Sequence, residues 1–167
     1  MLITTTPRLT IRQFQASDLD DLAPILANPE VMHFSATGVK TRAQIKAFLD
    51  KILHQYQQEG FGLYALLKKS TQQMLGYCGL LVWLIDGKRE IEIGYRLTCT
   101  HWGQGLGTEA ALAIRDYAWQ QLGLDRLICI IEPDNYPSIR VAQKIGMTYE
   151  RATVIMDIPV GIYGMLR

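Results

Sequence analysis

The amino-acid sequence predicts an α+β fold, in which a mixed, mostly antiparallel sheet of about seven strands carries helices on both faces. Segments that alternate polar and apolar residues, typical of half-buried strands, recur along the chain, and residues 90–97 are the clearest case. Apolar residues at helical spacing occupy 41–60 and the stretch after Gly107. A β-rich apolar run at 126–132 follows the latter helix, which predicts a right-handed parallel crossover. Together these patterns indicate a three-layer sandwich.

The N-terminal part of the chain predicts a strand followed by helices. Residues 8–14 alternate cleanly and are expected to form the first strand. A helix capped by Ser17 is predicted over 17–28, with a kink or break at Pro24, and a further short helix over 28–34. The clearest helix begins at Thr41 and ends at Gly60.

Antiparallel strands are predicted before the glycine-rich segment at 103–107, over residues 8–14, 61–68, 74–85 and 90–97. Asp86-Gly87 is a two-residue hairpin signal between the last two. The elements predicted after the segment are a helix over 107–123, a strand over 126–132, a helix over 135–146, and strands over 148–157 and 161–166. Asn135 is the expected N-cap of its helix, and Gly123 and Gly146 are the expected C-caps. The last two strands form a hairpin with its turn at 159–161.

Glycines alternate with other residues where strand 90–97 gives way to a helix. The first N–H groups of a helix have no internal partner, and the helix dipole adds about half a positive charge at that end. Glycines allow the backbone to turn tightly and to expose those amides. The segment therefore predicts a site for a phosphate or diphosphate, formed by Gly103, Gln104, Gly105, Leu106, Gly107 and Thr108.

Two other phosphate-binding motifs fit this segment poorly. A nucleotide P-loop would close with a lysine, which Gly107-Thr108-Glu109 lacks. A dinucleotide fold would place an acid at the far end of the next strand, whereas Asp125 precedes that strand, and strand 90–97 is amphipathic rather than fully apolar. A glycine-rich connection that binds no ligand is the remaining alternative.

Composition restricts the class of protein. The chain has 167 residues, 49% hydrophobic and 20% charged, which predicts one globular domain spanning residues 1–167. A net charge of +1 without a basic stripe argues against a nucleic-acid partner. No apolar run approaches the roughly 18 residues of a membrane span, and no signal peptide is visible, so a cytoplasmic location without membrane contact is expected. Three cysteines and three histidines are scattered without ligand spacing, so no metal site is expected.

The segment Trp102-Gly103-Gln104-Gly105-Leu106-Gly107, followed by Thr108-Glu109-Ala110, resembles the coenzyme-A diphosphate loop of GNAT-superfamily N-acetyltransferases. The similarity covers nearly the whole chain and is nearest to the branch with the ribosomal-protein N-terminal alanine/serine acetyltransferases. It implies a GNAT-like sheet splayed at its centre and acetyl-CoA as co-substrate. Further agreement lies in Thr6-Pro7-Arg8-Leu9, Glu92-Ile93-Gly94-Tyr95, Asn135-Tyr136-Pro137-Ser138 and Lys144-Ile145-Gly146-Met147.

The resemblance also implies how the pantetheine arm is held. Tyr95, Arg96 and Leu97 would lie alongside the arm like an extra strand at the splay. Asn135 would reach it from the other side, a role compatible with a plain helix N-cap. Trp102 departs from the Gln or Arg that the family often has, at the cost of one polar contact.

The reaction that the resemblance implies is direct attack of a neutral amine on the acetyl thioester in a ternary complex. Glu92, on the polar face of strand 90–97, is the candidate base, and Glu132 is a weaker candidate. The alternative for Glu92 is a strand carboxylate that is solvated or paired with Arg96. The family's usual proton donor, a tyrosine in the last helix, is Ala142 here. Ser138 is the candidate substitute, and a first-turn serine that satisfies helix amides is the alternative.

A protein or peptide N-terminal α-amine is the expected acceptor, because its pKa of about 8 makes it far easier to deprotonate than lysine at about 10.4. Two alternatives stay open: a small-amine acetyltransferase acting on a polyamine, amino acid or antibiotic, and a non-catalytic acyl-CoA-binding module. A monomer or a homodimer fits the sequence equally well.

Overall fold

The computed structural model describes residues 1–167 as an eight-stranded sheet in the order β1-β2-β3-β4-β5-β6-β8-β7. The strands are β1 (Leu2–Thr5), β2 (Leu9–Gln13), β3 (Leu63–Lys68), β4 (Met74–Ile85), β5 (Lys88–Leu97), β6 (Arg126–Ile131), β7 (Thr148–Ile155) and β8 (Ile158–Leu166). The helices are α1 (Leu19–Leu26), α2 (Arg42–Glu59), α3 (Leu106–Gln120) and α4 (Tyr136–Lys144). No helix combines the length and the apolar character that crossing a bilayer requires. The mixed α+β architecture agrees with the prediction.

The sheet parts at its centre, between β5 and β6. These strands are the only parallel neighbours, and their register contains the single pair Glu92 and Ile128. Every other neighbouring pair is antiparallel and has at least three register pairs. Beyond Glu92 the C-terminal half of β5 therefore has no paired residue on β6, and an open wedge, here called the splay, separates the two strands.

The two faces of the sheet bury different helices, as predicted. Strand alternation places Ile93 and Leu80 in one buried cluster with Ala111, Ile114 and Ala118 of α3. The opposite face packs on α1 and α2, through Leu63 and Ala65 of β3, Tyr77 of β4 and Ile45 and Leu49 of α2. Because residues of β5 alternate between these faces, Glu92 and Tyr95 point to opposite sides of the sheet.

Most of the predicted helix caps are confirmed. The Thr41 hydroxyl accepts from the Gln44 amide at 3.3 Å, and Gly60 ends α2 with φ +76°. Asn135 Oδ1 accepts from the Ser138 amide at 3.2 Å. Gly146 follows α4 with φ +98°. Each cap satisfies backbone groups that the helix itself leaves unpaired.

Several predicted local elements differ from the structure. The sheet has eight strands rather than about seven, because the short edge strand β1 pairs with β2. Residues 28–34 form turns instead of a helix, with the Asn28 carboxamide accepting from the Glu30 amide at 2.9 Å. The closing hairpin turns at Met156-Asp157 instead of 159–161, since both residues adopt the positive φ of a tight hairpin turn.

The first helix also differs from its prediction. Ser17 is not the N-cap; it lies inside a short 3₁₀ turn over Ala16–Asp18 that precedes α1. The buried Asp18 carboxylate accepts from the Gln15 amide at 2.7 Å and binds Arg12 in a bidentate pair. No break occurs at Pro24, where the missing N–H removes only one bond of a short helix.

Candidate functional site

The glycine loop joins β5 to α3, which begins at Leu106, one residue earlier than predicted. Gly103 has φ +73° and Gly105 has φ +77°, the left-handed conformation that side chains disfavour. Both glycines are exposed, and a Cβ on Gly103 would meet no atom within 4 Å. The open space and the free amides of the first turn of α3 fit a diphosphate.

A contact that the sequence did not predict holds this loop against the start of β2. Arg8 donates from its Nε to Glu109 Oε2 at 2.6 Å and from Nη1 to the Gln104 carbonyl at 2.8 Å. Thr6 donates its hydroxyl to Glu109 as well. Burial alone would raise the pKa of Glu109, but the hydrogen bonds from Thr6 and Arg8 lower it below its usual value. Arg8 and Glu109 each lie in a motif that carries the family resemblance, 6–9 and 108–110, and that shared membership is the signal that could have linked them.

The end of β5 presents its three predicted pantetheine residues in different directions. The Ile93 carbonyl faces β6 and accepts from Cys129 Sγ at 3.3 Å. Because carbonyls two residues apart in a strand point the same way, the Tyr95 carbonyl also faces β6. Arg96 faces the other way, since its carbonyl lies against Gly76 of β4. The Leu97 carbonyl accepts from the Trp102 indole N–H at 2.9 Å. The indole at this position therefore ties the loop to β5.

Tyr95 and Ser138 meet across the splay. The Tyr95 hydroxyl donates to Ser138 Oγ at 3.1 Å, and the Ser138 amide is the group that Asn135 caps. Burial raises the pKa of Tyr95 well above its usual value. The Ser138 hydroxyl thus accepts from a phenol and makes no bond to a helix amide. Three predicted site residues are thus joined by hydrogen bonds.

Glu92 lies at the closed end of the splay, on the face that packs against α1 and α2. Trp83 donates its indole N–H to Glu92 Oε2 at 2.6 Å. Burial raises the pKa of Glu92 to about 7, against the opposing effect of the Trp83 bond. Glu92 has no ion pair with Arg96, which instead donates to the Val31 carbonyl at 2.9 Å. A carboxylate of this pKa exchanges protons readily near neutral pH.

Replacing Trp83 with Phe should raise the pKa of Glu92 further. The indole stabilises the ionised carboxylate, and phenylalanine keeps an aromatic ring without the donor. If Glu92 is the base, the acidic limb of the profile of kcat/KM against pH should move to higher pH. An unmoved limb would mean that this limb reports another group.

A cavity of about 780 Å³ lies elsewhere, between β1 and α3. Glu109 borders it, but Glu92, Tyr95 and Ser138 do not. This cavity is therefore separate from the splay, where the candidate catalytic side chains lie.

Comparison with known proteins finds relatives along most of the chain. The family model described as the acetyltransferase (GNAT) domain matches residues 8–148. YkkB of Bacillus subtilis (strain 168) is 33% identical over 161 residues, covering 95% of this chain and 92% of that protein. The N-acetyltransferase p20 of Bacillus licheniformis is 30% identical, covering 87% of this chain and 82% of its own length.

Solved structures share the fold along almost the whole chain. A GNAT-family acetyltransferase from Bacillus anthracis superposes with a TM-score of 0.85 at 25% identity, covering 99% of this chain and 98% of that one. The ribosomal L7/L12 α-N-protein acetyltransferase RimL, solved with coenzyme A, has a TM-score of 0.83 at 18% identity, with 99% and 98% covered. The aminoglycoside acetyltransferase AAC(6')-Ib, also solved with coenzyme A, has a TM-score of 0.80 at 20% identity, with 95% of each chain covered. The last two show likeness of fold alone, whereas the family match over most of the sequence establishes that the chain belongs to the GNAT acetyltransferases.

Proposed function

We propose that the protein transfers an acetyl group from acetyl-CoA to the α-amine at the N-terminus of a protein or peptide. The observation that carries this proposal is Glu92, whose pKa of about 7 suits an amine that needs only modest help to lose its proton. An α-amine is about 10% neutral at pH 7, whereas a lysine is below ~0.1% neutral. Deprotonating lysine costs about 3 kcal/mol more.

The charges around Glu92 also support a singly charged acceptor. On the same face, Glu90 is paired with Arg126 at 2.9 Å. Arg96 contributes a guanidinium with no carboxylate partner. A polyamine or aminoglycoside would be favoured by several unpaired carboxylates, whereas Glu90 is already paired and Arg96 is cationic.

The proposed roles of the site residues follow from the face of the sheet on which each residue lies. Bound acetyl-CoA supplies the acetyl group as an activated thioester. The loop amides from Gly103 to Thr108 hold its diphosphate, and the backbone of Tyr95 with Asn135 holds its arm at the splay. Glu92 takes a proton from the amine on the α1 and α2 face. Ser138, on the opposite face, donates its hydroxyl to the departing sulfur, while Tyr95 fixes the position of that hydroxyl.

Replacing Ser138 with Ala should lower kcat by about tenfold. A leaving thiolate has a pKa near 8.5, so its protonation needs little assistance and the loss stays below the full ~10²–10⁴-fold of general acid catalysis. The change also removes the partner of a half-buried phenol, which should cost about 1 kcal/mol of unfolding free energy.

The matched control is Tyr95→Phe, which removes the same hydrogen bond and keeps the serine hydroxyl. Steady-state kinetics and melting temperatures of both variants separate the roles. A donor role requires Ser138→Ala to be the slower enzyme. Equal losses of stability with normal turnover in both would make the pair structural.

A pooled amine panel tests the proposed function directly. Release of free thiol from acetyl-CoA is followed with peptides of varied N-terminal residue, the same peptides acetylated at the N-terminus, polyamines and aminoglycosides. Turnover with free-amine peptides that is absent with blocked ones supports the proposal. Turnover only with the small amines contradicts the acceptor class, and binding without any turnover would indicate an acyl-CoA-binding module.

A further inference from the structure

A second cavity, of about 410 Å³, adjoins the glycine loop. It lies between that loop, the connection from β1 to β2 and the turn from β3 to β4. Pro7, Leu75 and Leu106 give it an apolar part, and Lys68, Lys69 and His101 border it with cationic or hydrogen-bonding groups. Six of its nine lining residues are polar or charged, which suits a polar small molecule.

The cationic groups of this cavity are not neutralised by the protein. No Asp or Glu lines it. Lys68 is exposed and its side chain has no ion pair or hydrogen bond. Lys69 Nζ donates only to the Thr6 carbonyl, at 3.0 Å. His101 Nδ1 lies 2.9 Å from Thr98 Oγ1, which leaves Nε2 without a partner. The charge of Arg8, in contrast, is met by Glu109. The cavity therefore favours an anion.

The cavity continues the diphosphate site. Gln104 and Leu106 belong to the glycine loop and also line the cavity. Arg8 connects the two, because it lines the cavity and donates to the Gln104 carbonyl at 2.8 Å. An anion held here is consequently close to one held by the loop amides.

We propose that this cavity binds the 3′-phosphate of coenzyme A, with Lys68 and Lys69 as its counter-charges and the ribose against the apolar part. The inference rests on the proposed use of acetyl-CoA. Coenzyme A has one phosphate monoester besides its diphosphate, and a monoester carries about −1.5 to −2 charge at pH 7. Two lysines without carboxylate partners suit that charge, and Ser70, also at the cavity, adds a hydroxyl.

Calorimetric titration with coenzyme A and with dephospho-coenzyme A, which lacks only the 3′-phosphate, tests this site. The unaltered protein should bind coenzyme A about tenfold more tightly at low salt, and added salt should reduce the preference. In Lys68→Gln/Lys69→Gln the preference should disappear, while the Kd for dephospho-coenzyme A stays unchanged. The single variant Lys68→Gln should lose part of the preference for coenzyme A. Because the Lys68 side chain has no partner in the protein, this variant should fold normally.

The charge-matched control is Lys51→Gln/Lys88→Gln, which removes two exposed lysines from α2 and from the start of β5. This variant should keep the preference for coenzyme A. Equal binding of the two coenzymes by the unaltered protein, or a preference that survives in Lys68→Gln/Lys69→Gln, would overturn the site while leaving the proposed function intact. Failure of the protein to bind either coenzyme would instead overturn the coenzyme assignment and this inference with it.

Discussion

Replacing Glu92 with Gln should lower kcat/KM by about 10²–10⁴-fold, with little change in coenzyme affinity. The amide keeps the size of the carboxyl and the ability to accept from Trp83, but it cannot take a proton from the amine. With a pKa of about 7, Glu92 is half ionised near neutral pH, so activity of the unaltered enzyme should rise through that pH. Rates measured from about pH 5 to about pH 9 should show this rise, and the variant should lack it.

The same carboxyl predicts a pH dependence of stability. Its folded pKa of about 7 exceeds the unfolded value of about 4.3, so between these values the folded state binds more protons. Stability should therefore fall as pH rises through this window, and Glu92→Gln should weaken that dependence.

Glu90→Gln is the matched control for Glu92→Gln. Glu90 lies on the same strand and face but is paired with Arg126. Its replacement should leave turnover nearly normal. A normal rate and profile for Glu92→Gln would make Glu92 a structural carboxylate and assign deprotonation of the amine to water.

Replacing Gly105 with Val should weaken coenzyme A binding by more than about tenfold, or roughly 1.4 kcal/mol. Gly105 sits at φ +77° immediately before α3, where a β-branched residue is strained and moves the amides that would bind the diphosphate. Strain of this kind costs on the order of 1–3 kcal/mol of stability, so the binding must be measured well below the melting temperature.

Gly123→Val is the control that separates the effect of backbone strain on stability from the effect on coenzyme binding. Gly123 has φ +65° beyond the other end of α3, and a Cβ there would meet no atom within 4 Å. Both variants should lose similar stability, and only Gly105→Val should lose coenzyme affinity in calorimetric titration. Unchanged affinity in Gly105→Val would remove the diphosphate assignment from this loop.

Some site contacts were within reach of sequence reasoning. The two-residue turn at Asp86-Gly87 sets the register of β4 and β5, which pairs Trp83 with Glu90. Trp83 is therefore diagonal to Glu92 on one face, a spacing that a long aromatic side chain spans. The contact between Arg8 and Glu109 joins residues 101 positions apart, and no local pattern predicts it.

By itself the sequence determined the alternating strands, the Thr41 and Asn135 caps and the glycine loop, because these features depend on residues that are close to each other in the sequence. Tertiary structure decided that β1 completes the sheet and that β5 and β6 part beyond Glu92. It also decided that Glu92 is half-buried beside Trp83 and that Tyr95 reaches Ser138. The physical reason is that burial, which raises the pKa of Glu92, and the choice of hydrogen-bond partners arise only when distant segments exclude water together.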